Sequence, residues 1–214
     1  MDAHLESDTL RVLKKGPLGP YANNGIVLVD KATNQSAIID AVAEIEQVIE
    51  ATAGTEVRFV LFTHAHVDHV WSFDALKETV AAPFCMHPAE PNADHDRIDV
   101  HLQGGETLTL GSTEVRVIHT PGHTPGSLCY HAPPICVVGD TLFPGGPGRS
   151  GSAAALRTTI RSITAELFTL PDETVLLPGH GADGTIAESK AEYADFAKRD
   201  HDPDLHGDVL WRRD

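Results

Sequence analysis

Thr63-His64-Ala65-His66-Val67-Asp68-His69 decides how this chain is read. It follows directly on residues 57–62, a run apolar but for Arg58 and of the length of one buried strand. In extended backbone alternate side chains share a face, so His64, His66 and Asp68 point the same way where the strand runs out. His69 adds a fourth donor as the chain turns. Three imidazoles and a carboxylate packed this closely suit zinc or iron, the aspartate contributing a hard, charged oxygen. Scattered histidines would read as a solvated loop; four donors at the end of a buried strand read as a metal site.

A centre holding two ions needs ligands from other strand ends, and three candidates have that setting. His123 lies in Thr120-Pro121-Gly122-His123-Thr124-Pro125-Gly126, after a strand expected at 114–119. Asp140 lies in Gly139-Asp140-Thr141-Leu142-Phe143, after an apolar strand at 135–138. His180 lies in Leu177-Pro178-Gly179-His180-Gly181, after a strand at 174–177. Each is preceded by glycine, which lets backbone approach closely beside a ligand. A lone Gly-His or Gly-Asp is more often a turn, but three repeats of one arrangement downstream of the histidine cluster carry weight.

Working outward, strands are expected at 10–13, 26–30, 37–40, 84–86, 107–110 and 127–131, with turns at Gly16-Pro17 and Asn23-Asn24-Gly25. Val42, Ile45, Val48 and Ile49 at helical spacing predict a helix from Ala41 to Gly54, and further helices are expected at 71–81, 153–168 and 185–198. Strands outnumber helices, and helices separate groups of strands. The expected fold is therefore of the mixed α/β kind, two packed sheets with outer helices. The length suits one domain, residues 1–214, with a polar tail at 200–214 laid over the surface or frayed.

The charge narrows the partners. With 31 acidic and 16 basic residues the net charge is −15, which fits an acidic cytoplasmic enzyme and disfavours a grip on nucleic acid, which is built from clustered Lys and Arg. Cys85, Cys129 and Cys136 form no CxxC pair and read as small buried hydrophobes. Residues 1–18 lack the apolar core of a signal peptide, and no run approaches a membrane span. The expectation is a soluble, cytoplasmic monomer or homodimer acting on a small molecule, with neither nucleic acid nor membrane as partner.

The pattern THxHxDH at 63–69, with His123, Asp140 and His180, resembles the metallo-β-lactamase-fold hydrolases. Gly139-Asp140-Thr141-Leu142-Phe143 followed by Gly146-Pro147-Gly148-Arg149 is similar to the GDTLF…GxGR stretch of the glyoxalase II (hydroxyacylglutathione hydrolase) group, and the likeness covers nearly the whole chain. The resemblance implies an αββα sandwich of two mixed sheets. It implies His64, His66 and His123 on one divalent ion, Asp68, His69 and His180 on a second, and Asp140 bridging. Zinc is the expected metal, with iron or manganese as alternatives.

Such a pair of ions acidifies a shared water, and the implied reaction is hydrolysis of a thioester or ester by that hydroxide. Asp68 and Asp140 are then the catalytic carboxylates, Asp68 orienting the nucleophile or taking its proton. Arg149 is a candidate for meeting the substrate or ordering the metal loop. His119 is read as a partner near the site or as packing at a strand end, and the remaining histidines as surface residues.

Metallo-β-lactamases proper generally lack the bridging aspartate. Longer glyoxalase II enzymes add a C-terminal helical region for glutathione, whereas only residues 181–214 follow His180 here. The alternative is a persulfide dioxygenase with one iron on positions equivalent to His64, His123 and Asp140; a lactonase, another esterase or a non-catalytic metal-binding module ranks lower.

Overall fold

The computed structural model describes residues 3–212. Its first sheet runs in chain order: β1 (Leu5–Glu6), β2 (Leu10–Leu18), β3 (Asn23–Asp30), β4 (Gln35–Ile39), β5 (Glu56–Leu61), β6 (Phe84–Met86) and β7 (Val100–His101). The first four strands pair antiparallel and β4 to β7 pair parallel. The helices α1 (Ile45–Ala51) and α2 (Phe73–Thr79) make the crossovers on either side of β5.

The second sheet contains β8 (Thr107–Leu110), β9 (Thr113–His119), β10 (Leu128–Ala132) and β11 (Ile135–Gly139). A short ribbon of β12 (Leu142–Phe143) and β13 (Gly146–Pro147) follows, then α3 (Ala153–Ala165), β14 (Val175–Pro178), β15 (Gly184–Thr185) and α4 (Ile186–Phe196). β14 joins β11 in parallel, so the sheet order is β15-β14-β11-β10-β9-β8.

Period-two alternation explains the layering. In β3, Ile26 and Leu28 face the second sheet and pack with Val117, Tyr130, Ile135 and Val137. Val27 and Val29 face outward, under Ile45 and Val48 of α1 and Leu76 of α2. The outer face of the second sheet, Ile118, Cys129, Cys136 and Val138, is covered by Leu156 and Ile163 of α3 and Ile186 and Phe196 of α4. The order is helices, sheet, sheet, helices, and both sheets are mixed, as expected.

Four local expectations are corrected. Gly16-Pro17 is not a turn but an irregularity inside β2, where pairing with β3 shifts between Lys15 and Leu18. Asn23-Asn24-Gly25 opens β3, and the turn lies at 19–22. The helix expected from Ala41 begins at Ile45, because Glu44 adopts a left-handed conformation (φ 55°) and Ala41 to Ala43 are buried loop. Over its described part, residues 200–212, the tail is not frayed; residues 213–214 lie outside the described residues. Val209 and Trp211 are buried in the outer core of the second sheet, and the Trp211 ring meets Tyr193 at 5.1 Å and Phe196 at 6.2 Å between centroids. A polar composition hid one indole large enough to anchor the segment.

Candidate metal centre

All seven side chains singled out as ligands meet at one end of the sandwich. The loop after β5 carries His64, His66, Asp68 and His69, the loop between β9 and β10 carries His123, and Asp140 and His180 follow β11 and β14. β5, β11 and β14 all have parallel neighbours, so their carboxyl ends bring distant residues to one edge. Glycine permits the closeness: a Cβ on Gly179 would stand 2.5 Å from Asp140 Oδ1 and 2.6 Å from His69 Cε1.

The donors form triplets. His64, His66 and His123 bring their ligating atoms within 4.8 Å of one another, as do Asp68, His69 and His180, and also His64, His69 and Asp140. Asp140 stands between the first two groups: Oδ1 is 3.4 Å from His69 Nε2, and Oδ2 is 3.5 Å from His180 Nε2 and 3.8 Å from His123 Nε2.

The outer ring nitrogens are anchored, which assigns the inner ones. His69 Nδ1 donates to Asp40 Oδ2 (2.8 Å), His123 Nδ1 to the Arg149 carbonyl (2.8 Å), His180 Nδ1 to the Tyr21 carbonyl (2.9 Å) and His64 Nδ1 to Thr63 Oγ1 (3.1 Å). Each ring therefore turns Nε2 inward, the nitrogen that would ligate a metal. His64 Nε2 is then 3.1 Å and His123 Nε2 3.0 Å from His66 Nδ1. Acceptors crowded this closely fit a shared cation: tetrahedral zinc with bonds of about 2.0–2.1 Å would hold its nitrogens roughly 3.3 Å apart.

Two further observations support the fit. His69 Nε2 and Asp140 Oδ1 are buried polar atoms without a hydrogen-bond partner, a costly state that a metal ion would relieve. The electrostatics favour positive charge. Burial opposes ionisation of His180, yet Asp140 and Asp68 raise its pKa to about 10. Burial works likewise against His69, and Asp40 and Asp140 lift it well above 6.5. Asp68 resists its own burial through His180, His69 and Asn23 and is held at about 2. His64 and His123 are lowered, mainly by burial, and stay neutral as ligands must.

Several supporting residues carried no sequence signal. Asp40, just after β4, also accepts from Thr63 N (2.7 Å) and Thr63 Oγ1 (2.9 Å), fixing the start of the ligand loop. Glu90, fully buried, accepts from Ala65 N (2.9 Å) and from Thr124 Oγ1, joining the two ligand loops. Asn23 donates to Asp68 Oδ2 at 2.8 Å. Arg149 orders its loop through its backbone carbonyl, while its guanidinium is exposed, 3.9 Å from Asp208 Oδ2. His119 does not reach the centre: it stacks on His87 (4.1 Å between centroids) and donates to the Pro125 carbonyl.

A family model described as the metallo-beta-lactamase superfamily matches residues 18–180. The chain belongs to this superfamily. Among relatives of this superfamily member, an uncharacterized protein of Aquifex aeolicus (strain VF5) is 32% identical over 202 residues, 84% of this chain and 94% of that protein. The probable metallo-hydrolase YqgX of Bacillus subtilis (strain 168) is 29% identical, covering 91% and 97%. The hydroxyacylglutathione hydrolase of Brucella ovis is 36% identical over 164 residues, 74% of this chain but 62% of that enzyme.

Solved structures align at similar levels. ETHE1 from Myxococcus xanthus has a TM-score of 0.75 at 29% identity, covering 88% of this chain and 86% of that one. The BLEG-1 B3 metallo-beta-lactamase has 0.69 at 29%, covering 82% and 95%. TTHA1623 in a di-iron-bound form has 0.68 at 27%, covering 82% and 96%. The chain is thus a hydrolase-like member with a candidate His/Asp site for divalent metals. Among the described residues, no helix is long and apolar enough to cross a membrane.

Proposed function

We propose that the protein is a dinuclear metal-dependent hydrolase of thioesters or esters, of glyoxalase II type, with zinc as the preferred metal and iron or manganese as substitutes. The observation that carries this reading is the pair of complete donor triplets with the Asp140 carboxylate between them. His64, His66 and His123 would hold one ion, Asp68, His69 and His180 the other, and Asp140 both. Likeness to a protein solved in a di-iron-bound form and to a hydroxyacylglutathione hydrolase supports it.

When bound, the ions supply a water acidified toward neutrality and a Lewis-acid contact for the substrate carbonyl. The chain's residues do the rest. Asp68, held through Oδ2 by the Asn23 amide, orients the attacking water or takes its proton. Asp140 is the second catalytic carboxylate. A thiolate leaves without a general acid, so no further proton donor is required. Arg149, beside the cleft that opens on His123 and Asp140, is the substrate-facing cation.

A small-molecule substrate, a cytoplasmic location and a monomer or homodimer complete the reading, the location resting on the free thiols and the acidic charge. The alternative, a single iron on His64, His123 and Asp140 acting as a persulfide dioxygenase, leaves Asp68, His69 and His180 without a role. Zinc-loaded protein should hydrolyse S-lactoylglutathione or simpler acyl thioesters, and Asp140→Asn should lose that activity by at least about a hundredfold. Oxygen uptake with glutathione persulfide and no thioester hydrolysis would replace this reading with the alternative.

A further inference from the structure

A cleft of about 280 Å³ opens beside His123 and Asp140, and its far wall is a stretch that no motif assigns to the site. Residues 207–212 return alongside the β12–β13 ribbon. Ser150 and Gly207 exchange backbone hydrogen bonds (3.1 and 3.0 Å), and Trp211 N donates to the Gly145 carbonyl at 2.7 Å. The buried Trp211 indole locks the end of this stretch. Between these anchors, Asp208, Val209 and Leu210 line the cleft.

Resting on the hydrolase reading, we infer that this segment is the specificity wall of the site, selecting substrates with an apolar acyl chain and an uncharged leaving group. Leu210 carries the apolar part: it is 62% exposed although both its neighbours are buried, and Phe143 and Pro144 line the same cleft. One exposed leucine needs no explanation. Here, however, the exposed large hydrophobics among the described residues are Tyr21, Val67, Trp71, Val100 and Leu210; Tyr21, Val67 and Trp71 belong to or meet the ligand loops, and Leu210 shares the cleft with His123 and Asp140. Val67 lies between His66 and Asp68 in the chain, Trp71 packs against Tyr21 at 6.0 Å, and the Tyr21 carbonyl holds His180. Apolar surface therefore borders both the ligand loops and the cleft, the arrangement of a ligand-binding patch.

Charge selects in the same direction. Arg149 is the one lysine or arginine lining the cleft, and Asp208 from the same wall stands 3.9 Å from it. An anionic leaving group approaching Arg149 must displace or share with that carboxylate, on a chain already at −15. The wall thus offers contact area to a hydrocarbon and little net attraction to an anion.

The test is a panel of thioesters on zinc-loaded protein: acetyl, butanoyl and octanoyl esters of N-acetylcysteamine, which is neutral, and of 3-mercaptopropionate, which is anionic. For the neutral series kcat/KM should rise about twofold per added CH2, half the free energy of full burial. Leu210→Ala should lower the octanoyl-to-acetyl ratio at least about threefold, and Asp208→Asn should raise the anionic-to-neutral ratio about threefold. Both side chains are exposed, so folding should be retained, as near-UV circular dichroism would verify.

Calorimetric binding of the non-hydrolysable S-octyl thioether of N-acetylcysteamine is read separately and should weaken in Leu210→Ala. Turnover with ratios indifferent to both substitutions would overturn this inference alone. Leu210-dependent binding without turnover of any thioester would uphold the wall and overturn the hydrolase reading. Neither turnover nor Leu210-dependent binding would overturn both.

Discussion

Asp40 Oδ2 accepts a 2.8 Å hydrogen bond from His69 Nδ1, and both side chains are buried. With Asp40 accepting at Nδ1, Nε2 is the ring atom turned toward Asp68 (3.4 Å) and Asp140 (3.4 Å), where it holds a proton in the metal-free protein and would give it up to bind a metal. A carboxylate behind a ligating imidazole also raises its basicity. Replacing Asp40 with Asn keeps the shape and removes the charge. Asp40→Asn should weaken one of the two metal sites about 10–100-fold and leave the other closer to the parent value, as chelator competition would measure. Equal loss at both sites would mean that Asp40 acts on the fold rather than on His69.

The metal-free protein should be less stable at alkaline pH for a specific reason. His180 has its pKa raised to about 10, against burial, by Asp140 and Asp68, and His69 is raised as well. Above pH 6.5 the folded state then binds protons that the unfolded state has released, so stability falls as pH rises. Buried thiols add to this slope as the pH approaches their unfolded value of about 8.5. Between pH 6.5 and 7.5, denaturant midpoints of chelator-treated protein should decline while those of metal-loaded protein should not, since metal displaces the protons. A flat profile for both forms would contradict the electrostatic account of the site.

The three cysteines should be inert. Burial pushes the Cys85 thiol up to about 12 and Cys129 to about 11, and raises Cys136 as well. Reaction with a disulfide reagent needs the thiolate and access to it. None of the three should react with Ellman's reagent at pH 8 in the folded protein, and all three should in denaturant; rapid labelling of the native form would show otherwise.

Trp211→Ala should destabilise the protein by about 3–5 kcal/mol, the usual cost of emptying a large aromatic site. The indole is fully buried among Tyr193, Phe196 and Phe168. Urea unfolding would measure the loss, and a change below about 1 kcal/mol would mean that the segment is merely laid on the surface.

Much of the fold was legible because a strand buried on both faces leaves a continuous apolar run, as in β11, and because the ligands follow the apolar ends of β5, β11 and β14 immediately. Strands of two residues, such as β7, β12 and β15, have no period to read and exist only through their neighbours. The limits of α1 depend on Glu44 in a left-handed conformation, which no periodicity announces. At the site, His64 to His69 are legible by spacing along one chain segment. Asp40, Glu90 and Asn23 reach that segment from 29, 25 and 45 residues away, by pairings that only the tertiary fold creates. Trp211 was lost in a polar stretch, because one large side chain anchors what average composition describes as surface.

In the proposed centre, His64, His66 and His123 hold one ion, Asp68, His69 and His180 a second, and Asp140 joins the two. The decisive measurement is metal content by mass spectrometry on protein reconstituted with zinc and dialysed, with Asp140→Asn and His180→Ala alongside. About two ions per chain are expected in the parent and about one in His180→Ala, with weakened occupancy of both sites in Asp140→Asn. One ion per chain in the parent, unchanged in His180→Ala, would contradict the proposed centre.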